Sequence, residues 1–199
     1  MDRGEITRIN TGDIITLHEM AADLLYDRRV IQVERPADLV IISTGEIGIN
    51  LYQSGKAIQA AWNAAKQPGG TILLISPCQD GVGSAGYQET MQAIQGMDLD
   101  QALEWVINNK CGLETFRIGN QKPVDTLRIL KTLGTDKIKI LSDMDPKELK
   151  DVYRLDPLPN KGSLQESLRD YLDRFLEAKP DALIYLLRNA GLYVVPDNA

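Results

Sequence analysis

Leu39-Val40-Ile41-Ile42, the turn Thr44 to Gly48, a helical run from about Asn50 to Lys66, the breaker Pro68-Gly69-Gly70 and the run Thr71 to Ser76 follow closely on one another. The first is a short β-branched run and reads as a strand. The second apolar run reads the same way, and the segment between them carries Ile58, Ala61 and Trp62 on one helical face. Proline and paired glycines end that helix and turn the chain. The result is a strand-helix-strand unit, whose crossover is right-handed in nearly all known cases.

Outward from this unit, strands and helices keep alternating. After Ser76 comes the glycine-rich loop Pro77 to Gly86, then a helix beginning near Tyr87. The spacing predicts helices at Asp98–Asn109, Pro123–Leu133, Pro146–Tyr153 and Ser163–Ala178, with strands at Lys137–Leu141 and Ala182–Leu186. Upstream it predicts a strand at Ile6–Ile9, a helix over Leu17–Tyr26 and a strand at Val30–Val33. Residues 1–199 therefore read as a single α/β domain with a mostly parallel sheet flanked by helices, a Rossmann-like three-layer arrangement. Pro157 to Gly162 is the best internal boundary, although a surface loop within one domain explains it as well.

Composition narrows the function. With 199 residues, 43% of them hydrophobic, the chain can bury a substantial core. Its 22 Lys and Arg against 28 Asp and Glu give a net charge of -6, so it offers no general phosphate-neutralising surface and nucleic acid is not an expected partner. No apolar stretch approaches the roughly 20 residues of a membrane-spanning helix, so no membrane association is expected either. The start, Met1-Asp2-Arg3-Gly4-Glu5, leads into a polar segment rather than an apolar signal core, which makes the cytoplasm the expected location. Cys78 and Cys111 read as reduced thiols. With His18 as the single histidine, a self-contained zinc enzyme is not expected and no metal ligand is assigned.

The chemistry-bearing residues gather where ligands bind in open α/β sheets, beyond the carboxyl ends of the strands. Gln53 and Lys56 open the helix that follows the Leu39–Ile42 strand, three residues apart and sharing a face, a cation beside an amide that suits a carboxylate. A solvated lysine on an amphipathic helix is the competing explanation. The loop glycines Gly81 and Gly83 with Ser84 form a candidate anion-binding loop, a structural turn being the alternative. The loop lacks the Gly-Lys-Ser or Gly-Lys-Thr ending of a Walker phosphate loop. Cys78 reads as a buried structural thiol, His18 as an ordinary helix histidine, and Trp62, Trp105, Tyr171 and Tyr185 as packing residues.

Several of these segments, in this order, resemble the C-terminal region of the nickel-pincer lactate racemase family. They are Ala37 to Ser43, Asn50-Leu51-Tyr52-Gln53 with Lys56-Ala57, the Pro68-Gly69-Gly70 turn, and Cys78 to Ser84. A weaker continuation is Gly119-Asn120-Gln121-Lys122 followed by Leu127-Arg128-Ile129-Leu130. The resemblance implies a 2-hydroxy acid racemase or epimerase that moves a hydride to and from a nickel-pincer nucleotide, with this region clasping the substrate. It places Gln53 and Lys56 on the substrate carboxylate or hydroxyl, Lys56 as the catalytic residue, and Tyr52 and Gln121 in the same binding set. At the position of Gln121 relatives carry Trp or His.

Family members are longer, and their N-terminal domain brings the proton-exchanging histidines, a metal-ligating histidine and a cofactor-anchoring lysine. That cofactor-binding domain is expected to be absent from this chain, which is expected to bind no cofactor alone and to be inactive without such a domain or subunit. Two further readings stand beside this one. One is a stand-alone module binding a small carboxylate. The other is a scaffold whose site has decayed, favoured by a Thr44 to Ile49 loop shorter than the family's and without its Pro and Asp.

Overall fold

The computed structural model describes residues 8–65, 67–188, 190–191 and 193–196. In chain order the elements are α1 (Ile14–Arg29), β1 (Val30–Val33), β2 (Leu39–Ser43), a 3-10 turn (Gly45–Ile49), α2 (Leu51–Ala65), β3 (Thr71–Ile75), α3 (Ala85–Ala93) and α4 (Leu99–Lys110). They continue as α5 (Gln121–Leu133), β4 (Ile138–Leu141), α6 (Pro146–Asp151), β5 (Asp156–Pro157), α7 (Leu164–Ala178), β6 (Ile184–Leu187) and β7 (Tyr193–Pro196). Five strands form one wholly parallel sheet in the order β5-β4-β3-β2-β6. The chain steps outward from β2 to β5 and then returns to the other side of β2 as β6.

Alternation along the strands builds the layers. Val40, Ile42, Ile72, Leu74, Ile138 and Ile140 belong to the larger core, shared with α2, α3, α4 and α5. Leu39, Ile41 and Leu73 point the other way and pack under α7 through Tyr171, Leu168, Leu172 and Phe175. Helix, sheet and helix thus form the expected three layers. Asp38, at the foot of β2, fixes the register of the edge: its carboxylate accepts the Leu183 N–H at 2.9 Å.

Differences from the sequence reading have local causes. Arg8 and Ile9 are irregular, so the expected strand at 6–9 does not form there, and its first two positions lie outside the described residues. The strand at Val30–Val33 forms but pairs in parallel with β7, which the sequence reading did not contain, in a separate two-stranded sheet. β5, two residues long, was likewise missed; it ends at Pro157, the first residue of the stretch considered as a boundary. The helix after Pro146 ends at Asp151, because Arg154 turns at φ 59° and donates to the Ile94 and Met97 carbonyls.

Candidate functional site

The carboxyl end of β2 leads through the 3-10 turn into α2, and the loop after β3 clamps that junction. Asn50 Oδ1 accepts the Gln53 N–H at 2.9 Å, while the Leu51 and Tyr52 N–H groups donate to the Gly81 and Val82 carbonyls at 2.9 and 3.0 Å. Ser54 N–H donates to Asn50 O, so the first-turn amides of α2 all have partners inside the protein. Gly83 makes the close approach possible: at φ 75°, a β-carbon there would lie 2.1 Å from Asn50 Cγ. Beneath the junction a buried hydroxyl cluster ties the strands together. Thr44 Oγ1 donates to Ser76 Oγ at 3.2 Å, Ser54 and Ser76 share a 2.7 Å bond, and Ser76 lies 3.3 Å from Cys78 Sγ. Cys78 is a free thiol, buried, on a left-handed turn at φ 54°.

Three helix starts meet above this cluster. Ser84 caps α3 by accepting the Tyr87 N–H at 3.4 Å, and Gly119, just before α5, sits so close that a β-carbon would lie 3.1 Å from Ser84 Oγ and 3.5 Å from the Tyr52 ring. Tyr52 tilts against Tyr87, with centroids 6.3 Å apart, and Tyr87 stacks on Tyr153 at 5.6 Å. Burial pushes the Tyr87 hydroxyl far above its ordinary range, so it stays neutral. This side of the crevice is therefore walled by neutral aromatic rings.

Gln53 is half-buried and Lys56 exposed. Among the described residues neither side chain makes a hydrogen bond or ion pair, so both are available to a ligand. Gln121 is exposed and takes a local role, its Oε1 accepting the Gly119 N–H at 2.9 Å. In the candidate anion loop, the Gly81 amide donates to Cys78 O at 2.8 Å and Ser84 is occupied as a cap. Those groups close the local turn and start α3. His18 lies exposed on α1, which buries none of its residues. Among the described residues there is no group of three or more His, Cys, Asp or Glu that could hold a metal.

The sequence reading missed Lys122 and Asp125 as site residues. Both line the groove between α2 and α5 with Tyr52, Gly55 and Gln59. Burial pulls the Lys122 ammonium below its ordinary range, Asp125 opposes that shift, and the like charge of Lys56 adds to it. The carboxyl of Asp125 is pushed up by burial, against the pull of Lys122 and Arg128. One signal was present: Gly55, a glycine inside a helix, marks a place where something crosses close by.

Comparison with known proteins gives a family and a fold. The lactate racemase C-terminal domain family matches residues 32–152. The lactate racemase apoprotein from Thermoanaerobacterium thermosaccharolyticum superposes with a TM-score of 0.71 at 20% identity, over 89% of this chain and 40% of that one. A protein from Thermotoga maritima superposes with a TM-score of 0.54 at 12% identity, over 90% of this chain and 42% of the other. The chain spans under half the length of either, and the likeness to both is one of fold. Among curated proteins none matches the sequence.

Proposed function

The chain belongs to the lactate racemase C-terminal domain family, and from that membership we propose that it is the substrate-clasping part of a 2-hydroxy acid racemase or epimerase. The observation that carries this reading is the pair Gln53 and Lys56, which opens α2 at the ligand edge of the sheet and, among the described residues, has no hydrogen-bond or ion-pair partner for either side chain. Lys56 supplies charge to the substrate carboxylate and offsets negative charge developing on the C2 oxygen. Gln53 offers both a donor and an acceptor to fix the orientation. Tyr52 supplies an apolar wall, and the clamp on α2 fixes the backbone that carries all three before a ligand arrives.

In such an enzyme a nickel-pincer nucleotide supplies the hydride acceptor. No step of the clasp is routed through that group. The cofactor belongs, in this reading, to an N-terminal domain or subunit that closes over the clasp, and the chain alone binds substrate without turning it over.

Calorimetric titration of the chain with lactate tests the reading. Saturable binding that Lys56→Met weakens at least about tenfold, a loss of roughly 1.4 kcal/mol, is the expected result. Equal affinity in the wild type and Lys56→Met, or no binding of lactate or any other 2-hydroxy acid, overturns it.

A further inference from the structure

Glycine inside a helix costs about 1 kcal/mol relative to alanine, and Gly55 occupies the second turn of α2. The space it leaves is filled from α5. A β-carbon at Gly55 would lie 3.2 Å from Lys122 Cδ and 3.6 Å from its Cε and Nζ, so the lysine stem lies flat across the helix. Lys122 is half-buried, and among the described residues its ammonium makes no hydrogen bond and no ion pair. It is close enough to Lys56 for the two charges to repel, and Asp125 balances only part of the local charge. A partly desolvated cation next to a second cation is costly until an anion arrives.

We propose that Lys122 is a second anion-binding residue of the clasp, and that the two lysines select 2-hydroxy acids bearing a second carboxylate over lactate-like monocarboxylates. The proposal rests on the clasp reading above. Lys56 and Gln53 hold the carboxylate and hydroxyl around the reacting carbon, and Lys122 takes the distal carboxylate across the Gly55 gap. A monocarboxylate leaves Lys122 as it stands now, half-buried and unpaired. Asp125 beside Lys122 offsets part of the positive charge at that end, which suits a singly charged carboxylate better than a phosphate dianion.

Titration of the chain with L-malate, D-malate and lactate decides it, with the ratio of lactate Kd to malate Kd as the readout. The wild type should favour one malate enantiomer at least about tenfold, and Lys122→Met should bring the ratio close to one. Lys122→Arg should keep most of the preference. Gly55→Ala, which preserves every charge but displaces the lysine stem, should lower the ratio in the same direction, and it decides the matter if Lys122→Met does not fold by circular dichroism. A wild-type ratio near one, or a ratio that neither Lys122→Met nor Gly55→Ala moves, overturns the proposal. If Lys56→Met weakens both acids in that event, the clasp stands and only the role of Lys122 falls. If no acid binds the wild type, both fall together.

Discussion

At Gly48 a single methyl group decides whether the floor of the crevice can form. Its β-carbon would arrive 2.0 Å from Thr44 Oγ1 and 3.0 Å from Ser76 Oγ, inside the buried hydroxyl cluster. Gly48→Ala should therefore destabilise the protein by about 1–3 kcal/mol in urea unfolding. Adding Thr44→Ala, which removes the colliding hydroxyl, should restore part of that loss, and a strictly additive double variant would contradict the steric explanation. At this scale the sequence was legible where chemistry is local. Gln53 and Lys56 could be picked out because three residues along a helix settle that they share a face. Lys122 could not, because its place depends on α5 lying against α2, and the one trace of that contact, Gly55, does not say which residue crosses there.

The element that matters most is α2, whose start is held by Asn50 from within and by the Gly81 and Val82 carbonyls from across the loop. Asn50→Ala removes the cap on Gln53 N–H and opens the space that Gly83 was shaped to share. The expected cost is about 1 kcal/mol of stability by urea unfolding, with Asn50→Asp, which keeps an acceptor, close to the wild type. An alanine variant as stable as the parent would mean that the loop carbonyls alone hold the helix. Long periodic elements such as α2, α5 and α7 were readable from their apolar spacing, and the breaker at Pro68-Gly69-Gly70 marked a true end. β5 and β7 were not readable. Two residues are too few to show a period, and β7 exists because β1 and the flank of α2 are there to receive it.

Across the whole molecule, the sheet separates two cores of unequal size, and the smaller depends on few side chains. Tyr171 is buried there under α7, and its hydroxyl is pushed up to about 12, chiefly by burial and secondarily by Asp156. A phenol whose folded pKa lies above the unfolded value of about 10 favours the fold while neutral. Its contribution is therefore complete below about pH 10 and disappears as the pH climbs through 12. Urea midpoints measured across that range should fall, and Tyr171→Phe should flatten part of the decline; an identical slope in the variant would place the alkaline sensitivity elsewhere. The amides that open α2 have a consequence of another kind. Since each is already committed to the protein's own carbonyls or cap, the backbone at the start of α2 takes no part in telling one ligand from another. On that helix preference is written in side chains, and it can be rewritten one substitution at a time while the turn beneath stays as it is.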